Sequence, residues 1–241
     1  MRPLVLETLS KAFPQSHFQL GPLSLELEHG DSVALFGKNG AGKSTLFQMM
    51  TGHLRPDQGK IWLEGELMQA ASFALKRRIG YLPQSLDLPR WVSAFDLLTY
   101  VLKLYEIPKL KEVREETLSR WDCHSYAHKP LAACSYGMQK RVGLALATVH
   151  KPQLLILDEP FSGLDLYHIK ALEDILEARK GQALTIVSTH VAAYAAKLND
   201  RALTLKDGQM QELPSWGTAS FVERIQLMEE QFFPVSNQGA P

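Results

Sequence analysis

A glycine-rich segment followed by lysine and serine constrains this chain more than any other feature. It reads Gly37-Lys38-Asn39-Gly40-Ala41-Gly42-Lys43-Ser44, with four residues between its outer glycines, which is the phosphate-loop pattern. The apolar run at residues 33–36 predicts a buried strand before it. Residues 45–51 predict a helix after it, ending at Gly52. A strand, a glycine-rich turn and a helix in this order predict a nucleotide-binding site.

The residue types in this segment explain how it would bind phosphates. Glycines let backbone N–H groups curl around phosphate oxygens, and a helix N-terminus adds the positive end of its dipole. Lys43 can reach the outer phosphates, and the Ser44 hydroxyl can ligate Mg²⁺. A glycine-rich turn without a ligand is the alternative, but the full motif in this context favours a nucleoside triphosphate. The predicted nucleotide-binding residues of this segment are Gly37, Lys38, Asn39, Gly40, Ala41, Gly42, Lys43, Ser44 and Thr45.

Two acidic residues follow a second apolar run. Residues 154–157 are typical of a central parallel strand, and Asp158-Glu159 come directly after them. Buried acids are costly without partners, and α/β proteins place ligands at the carboxyl ends of parallel strands. We therefore predict that Asp158 binds Mg²⁺, directly or through an intervening group, and that Glu159 polarises an attacking water. His190 ends another predicted buried strand, at residues 183–187, which favours a functional role.

The order of predicted elements indicates an α/β fold. Residues 85–133 show helical periodicity and a charged stretch, and predict a helical subdomain inserted between sheet elements and extending to about residue 150. The predicted fold is a P-loop NTPase core with a mostly parallel central sheet, an antiparallel β subdomain and this inserted helical subdomain. Further strands are predicted at residues 4–9, 23–28, 60–63 and 79–83, with a hairpin formed by residues 203–206 and 209–213 around Asp207-Gly208.

Several polar and aromatic residues have two interpretations each. Phe13 and Phe18 can stack on an adenine ring or fill the core, and Phe13 is our choice for stacking. Ser135 opens a long helix whose N-terminus suits an anion, although an ordinary serine cap explains the pattern too. The apolar stripes of the helical subdomain are predicted core, and residues 86–91 are a candidate docking surface.

Composition narrows the class of protein. The chain has 241 residues, 45% of them hydrophobic and 22% charged, as in ordinary soluble globular proteins. Its 26 basic residues equal its 26 acidic ones, which argues weakly against nucleic-acid binding. The N-terminus lacks a signal-peptide pattern, and no run of about 18 apolar residues occurs, so we predict a cytoplasmic location without a membrane span.

The two cysteines have no disulfide or metal-ligand spacing. Cys123 and Cys134 flank His124 and His128, and Asp122 lies beside them. A metal site there is the less favoured interpretation, and scattered surface polar residues are the favoured one.

With these motifs in order, residues 1–213 resemble the ATP-binding subunit of ABC transporters. Residues 214–241 are a short tail with an amphipathic helix near 220–231, then Pro234 and a polar end. The motifs that carry the resemblance are the phosphate loop, the Q-loop glutamine Gln84, the signature Cys134-Ser135-Tyr136-Gly137-Met138, the Walker B segment 154–159, the D-loop 162–165 and the switch histidine His190.

The resemblance implies partners and roles that composition does not reveal. Two subunits, either identical copies or this chain with a homologue, would pack head to tail around two ATP. Each ATP would lie between one phosphate loop and the partner's signature, here Ser135 and Gly137. Integral membrane permease subunits would hold the dimer at the inner membrane. The Gln84 region and the helical subdomain would pass the motion of the dimer to them. The implied catalytic residues are Glu159, His190 and Gln84, and the implied Mg²⁺ ligands are Ser44, Gln84 and Asp158.

The signature departs from the commonest form of the family. Cys134 replaces Leu, Tyr136 replaces the first Gly, and Met138 replaces Gln. Tyr136 requires an ordinary negative φ. The Ser-x-Gly-Met form is similar to bacterial ABC-2 type systems, including exporters and the ATPase that serves nitrous oxide reductase maturation. Phe161 stands where the family often has Thr.

Two rival functions follow from the same motifs. An ABC-type ATPase acting on DNA or the ribosome would tend to carry two cassettes or a long coiled-coil insertion, and this chain shows neither. A nucleotide-binding regulator without turnover has no need of both Glu159 and His190.

Overall fold

The computed structural model describes residues 3–232, and these form ten strands and eight α-helices. The strands are β1 (Leu4–Phe13), β2 (Phe18–Leu27), β3 (Ser32–Phe36), β4 (Gln58–Leu63), β5 (Glu66–Leu67), β6 (Ile79–Leu82), β7 (Leu154–Asp158), β8 (Leu184–Thr189), β9 (Arg201–Lys206) and β10 (Gln209–Glu212). The helices are α1 (Lys43–Met50), α2 (Phe73–Lys76), α3 (Ala94–Leu104), α4 (Leu110–Arg120), α5 (Tyr136–Thr148), α6 (Leu166–Arg179), α7 (Ala192–Leu198) and α8 (Phe221–Phe232).

The larger sheet has the strand order β10-β9-β3-β8-β7-β6, and its neighbours are parallel except at the β10 edge. Every residue of β3, β7 and β8 is buried. Burial on both faces explains why these strands read as nearly continuous apolar runs. The second sheet is antiparallel, with the order β2-β1-β4-β5. These two sheets and the surrounding helices confirm the predicted fold class.

The register of the parallel strands places the predicted site at one sheet edge. Phe36 of β3 is level with Thr189 of β8, and Asp158 of β7 is level with Ser188. The residues that follow β3, β7 and β8 are Gly37, Glu159 and His190, so the phosphate loop, the second acid and the histidine are neighbours.

The first two strands are longer than predicted. They were expected at residues 4–9 and 23–28, but β1 continues to Phe13 and β2 begins at Phe18. The register of this hairpin shifts twice along β1, between Leu6 and Leu9 and again before Lys11. Each shift interrupts the period of two on which the prediction depended. The hairpin of β9 and β10 is confirmed, with positive φ at both Asp207 and Gly208.

Helix bounds differ slightly from the predicted ones. Helix α1 begins at Lys43, two residues before the predicted start, and Gly52 follows it with a φ of 68°. Leu98 and Leu102 of the predicted apolar stripe are buried in α3. Cys123 and Cys134 are buried as free thiols, whereas Asp122, His124 and His128 are exposed, so the surface interpretation holds for the polar residues but not for the cysteines.

The chain after residue 213 packs against the core. Trp216 and Met228 form a buried cluster with Ala34 and Phe36 of β3 and with α7. The predicted helix near 220–231 is α8, while Pro234 and the residues after it lie outside the described range. Among residues 3–232, no helix is both long enough and apolar enough to cross a membrane.

Candidate nucleotide-binding and hydrolysis site

The phosphate-loop segment connects β3 directly to α1. Gly40 and Gly42 have φ values of 82° and 106°, a region that side chains disfavour. Gly37 lies against β9, where an added Cβ would be 2.6 Å from the Leu205 carbonyl oxygen. Positive φ therefore favours glycine at positions 40 and 42, and the close approach of β9 requires it at position 37. Gly42 is the N-cap of α1, so the free N–H groups of that helix begin at the loop.

Lys43 links this loop to the acid at the end of β7. Its side chain is only 6% exposed, and its ammonium donates to the Gly37 carbonyl at 2.5 Å and the Lys38 carbonyl at 3.3 Å. The same Nζ is 3.4 Å from Glu159 Oε1. A cation held this way is close to both the loop that would bind phosphates and the carboxylate that would act on water.

Glu159 is held by its backbone and by its carboxylate. Its backbone N–H donates to Ser188 Oγ at 2.9 Å, and its Oε2 is 2.9 Å from His190 Nδ1. Its side chain is 8% exposed, whereas that of His190 is 58% exposed. The carboxylate thus lies between Lys43 inside the protein and His190 at the surface.

Ser188 is a site residue that the sequence reasoning missed. Its hydroxyl donates to Asp158 Oδ1 and accepts from the Glu159 N–H, so one serine orients both acids. The available signal was a polar residue at the end of an otherwise apolar strand, two positions before His190. Only the register of β7 and β8 shows which residues it contacts.

The oxygen atoms near the loop suit Mg²⁺. Ser44 Oγ is 3.4 Å from Gln84 Oε1. Asp158 is fully buried, and no donor among residues 3–232 is within hydrogen-bond distance of its Oδ2. Hydroxyl, amide and carboxylate oxygens are the ligands that Mg²⁺ prefers. Burial, together with the charge of Asp158, raises the pKa of Tyr81 on neighbouring β6 well above its ordinary value, so this phenol stays neutral.

A pocket of about 420 Å³ opens over the phosphate loop. Both candidate adenine-stacking rings border it, and the Phe13 and Phe18 ring centroids are 6.3 Å apart. The structure therefore brings both phenylalanines to the site and leaves the choice of Phe13 a prediction. Ala41 is buried and borders an adjoining groove instead. The residues that line the pocket are Phe13, Phe18, Lys38, Asn39, Gly40, Gly42, Lys43, Ser44, Thr45 and Gln84.

The signature residues Ser135 and Gly137 do not line this pocket in the described part of the chain. Ser135 caps α5 by accepting from the Met138 N–H at 3.3 Å, so its hydroxyl has a local role within this subunit. Tyr136 has ordinary helical backbone as the first residue of α5, as its side chain requires. Its hydroxyl donates to the Gln84 carbonyl at 3.3 Å.

The D-loop leads into α6, and residues on either side of it contact two other helices. Asp165 caps α6, and hydrogen bonds from the His168 backbone and ring lower the pKa of its carboxyl. His168 Nε2 is 3.0 Å from an Arg141 nitrogen on α5. Phe161, the departure from the family pattern, stacks on Tyr194 of α7 with ring centroids 4.2 Å apart. That contact gives the aromatic residue at this position a packing role.

Comparison with known proteins identifies a family. A family model described as ABC transporter matches residues 20–162. The chain is 37% identical over 209 residues to an uncharacterised ABC transporter ATP-binding protein, YxlF, of Bacillus subtilis, covering 86% of this chain and 69% of that protein. This chain spans 42% and 38% of the lengths of two further relatives, both ABC transporter ATP-binding proteins of Bacillus cereus.

Solved structures agree with this comparison. An ATP-binding subunit of an ABC transporter has a TM-score of 0.79 and 27% identity, covering 93% of this chain and 98% of that one. The CbiO1 protein of Clostridium perfringens, described as part of the ABC transporter complex CbiONQ, has a TM-score of 0.73 and 25% identity. That match covers 97% of this chain and 96% of the other.

Proposed function

The chain belongs to the ABC transporter family as an ATP-binding subunit, and we propose that it is the motor that drives separately encoded membrane subunits. The family match and the similarity to a solved ATP-binding subunit of an ABC transporter support ATP hydrolysis coupled to transport. The finer proposal is that two such subunits close around two MgATP and open after hydrolysis. CbiO1 is described as part of a larger transporter complex, which supports partner subunits for this chain as well.

One observation carries the catalytic proposal. The Glu159 carboxylate lies between the Lys43 ammonium at 3.4 Å and the His190 ring at 2.9 Å, directly beside the phosphate loop. A carboxylate at this position can accept a proton from a water that attacks the outer phosphate. His190 is exposed on the open side and can orient both the water and the carboxylate.

Lys43 has a second task in this scheme. In this structure its ammonium donates to the Gly37 and Lys38 carbonyls and faces Glu159. Phosphate oxygens would be stronger partners, because they carry negative charge and the carbonyl oxygens are neutral. When the ammonium turns to the phosphates, Glu159 loses a competing cation and its carboxylate becomes available to water. Mg²⁺ held by Ser44, Gln84 and Asp158 would offset the developing phosphate charge.

The dimer explains two exposed features. Ser135 and Gly137 begin a helix away from the pocket, and the N-terminus of a helix is a ready anion site. In a head-to-tail pair they would meet the partner's outer phosphate. The partner is a second copy or a homologous subunit, and permease subunits would hold the pair at the cytoplasmic face of the inner membrane. The Ser135-Tyr136-Gly137-Met138 form supports an ABC-2 type system, either an exporter or the nitrous oxide reductase maturation system.

Steady-state phosphate release tests the catalytic proposal. We expect the wild-type protein to hydrolyse ATP only with Mg²⁺, and Glu159→Gln to be slower by about 10²–10⁴-fold, the usual value of general-base help. Equilibrium ATP titration of both proteins is the control for binding. Hydrolysis by Glu159→Gln at the wild-type rate would place the base elsewhere.

A further inference from the structure

Lys140 is a lysine with no exposed surface. It lies on α5, five residues after the Ser135 cap, and its relative exposure is 0%. A buried ammonium loses its hydration and is costly unless it is paired and hydrogen-bonded. A lysine at such a position therefore requires a partner that compensates for the lost hydration.

The partner of Lys140 is the peptide of Glu159. The ammonium donates to the Glu159 carbonyl oxygen at 3.0 Å. Glu159 has a φ of 48°, in the left-handed region that non-glycine residues occupy only when their surroundings hold them there. Its N–H is held by Ser188, and its carboxylate contacts Lys43 and His190. Lys140 restrains the remaining backbone group of this residue, its carbonyl oxygen.

The charge of Lys140 matters as well as its hydrogen bond. Burial lowers its pKa, while the nearby charges of Asp158 and Glu159 act in the opposite direction and favour the ammonium form. The cation also lies behind two adjacent buried carboxylates and offsets the repulsion between them. Met at this position would supply similar volume without the charge or the donor.

We propose that Lys140 is a positioning residue, which holds the Glu159 peptide in its left-handed conformation and ties the signature helix α5 to the acid that activates water. The proposal rests on the function proposed above for Glu159. It adds a connection within one subunit. In the head-to-tail dimer, the Ser135 end of α5 meets the partner's nucleotide, while Lys140 on the same helix holds the acid of its own site. Occupancy of one site would thereby act on the catalytic acid of the other.

The first test compares Lys140→Met, Lys140→Gln and the exposed control Lys111→Met on α4. The measurement is phosphate release against ATP concentration, with ATP affinity from equilibrium titration. We expect Lys140→Met to lower kcat by about 10- to 100-fold, because a misplacement of about 1 Å can cost about 10² in rate. KM and ATP affinity should stay within about threefold, because Lys140 is not among the residues that line the pocket. Lys140→Gln keeps an N–H donor and should lose less, and Lys111→Met should match the wild type.

The second test repeats Lys140→Gln in the Glu159→Gln background, by single-turnover phosphate release. If Lys140 acts through Glu159, the substitution costs rate in the wild type and less than about twofold in Glu159→Gln, because residues in one unit are non-additive. The proposal is overturned if Lys140→Gln slows phosphate release by the same factor in both backgrounds, or if it does not slow the wild type. This test remains decisive even if Lys140→Met does not fold. A wild-type protein that releases no phosphate refutes the proposed function, whereas wild-type turnover without a Lys140 effect refutes only this role.

Discussion

At the scale of single residues, the site depends on contacts that reach Glu159 from three separate segments. Lys43 comes from the phosphate loop, and Lys140 comes from α5. Ser188 and His190 come from the end of β8. These contacts leave Glu159 Oε1 without a hydrogen-bond donor among the described residues, although the Lys43 ammonium is 3.4 Å away. The acid is therefore fixed in place, and Oε1 is the oxygen that would accept a proton once Lys43 turns to the phosphates.

Lys43→Ala should abolish detectable ATP binding at micromolar nucleotide. The substitution removes a buried ammonium from the pocket lining, and hydrogen bonds to charged groups contribute about 1.5–3 kcal/mol each. Titration with a fluorescent ATP analogue measures the loss. Lys38→Ala is the matched control on the exposed part of the same loop and should bind more tightly than Lys43→Ala. Wild-type affinity in folded Lys43→Ala would contradict the assignment.

His190→Ala should lose turnover and keep ATP affinity. The ring contacts Glu159 Oε2 at 2.9 Å and lines no part of the pocket over the phosphate loop within residues 3–232. If the pair acts as one unit, His190→Ala combined with Glu159→Gln should be little slower than the slower single variant. Phosphate release by all four proteins decides this. Losses that multiply would show that the two residues act independently.

At the scale of elements, the C-terminal segment supports the helix that follows the switch histidine. Trp216 is 1% exposed, and its indole N–H donates to the Asn199 carbonyl at 3.0 Å. Arg224 of α8 donates to the Ala196 and Asn199 carbonyls, both at 3.0 Å. Helix ends leave such carbonyls without intrahelical donors. The segment after residue 213 therefore caps α7.

Trp216→Ala should lower the free energy of unfolding by about 3–5 kcal/mol, the usual cost of truncating a buried aromatic residue. Phe221→Ala is the control within the same segment. Its ring is 50% exposed, so the change should be within about 0.5 kcal/mol. Urea unfolding followed by circular dichroism measures both. If Trp216→Ala lowers the free energy of unfolding as little as Phe221→Ala does, the segment contributes little to stability.

At the scale of the whole molecule, the site is incomplete in one subunit if the signature belongs to the partner's nucleotide. The exposed side chains of Tyr136, Leu166, Tyr167 and Val191 lie in or beside the signature, the D-loop and the switch segment. Exposed apolar residues grouped at functional loops are typical of an interaction surface. The proposed dimer would cover them.

Glu159→Gln should be monomeric without nucleotide and dimeric with MgATP, because it binds ATP without consuming it. Light scattering with and without MgATP measures the change in mass. Lys43→Ala provides the negative control, since it should not dimerise. A mass of Glu159→Gln that is the same with and without MgATP would count against a composite site in the isolated subunit.

Co-purification from membranes would identify the permease subunits, or reveal DNA or ribosomes as the alternative partners.

Local sequence determined much of this protein. The phosphate loop, the apolar strands and the acids after residue 157 are contiguous patterns, so backbone preferences and burial suffice to predict them. Parallel strands end at one sheet edge, which also made Glu159 and His190 predictable neighbours of the loop. The family followed from the order of these motifs.

Tertiary structure decided what depends on partners far apart in the chain. The strand bounds of β1 and β2 were wrong because bulges break their alternation. Ser188 and Lys140 were missed because each acquires its meaning from a contact with residues 158–159, from 19 to 30 positions away. A hydrogen bond across such a separation leaves no periodic trace in sequence. Only the register of β7 with β8, and the packing of α5 behind them, brings a buried serine and a buried lysine to the two sides of one glutamate.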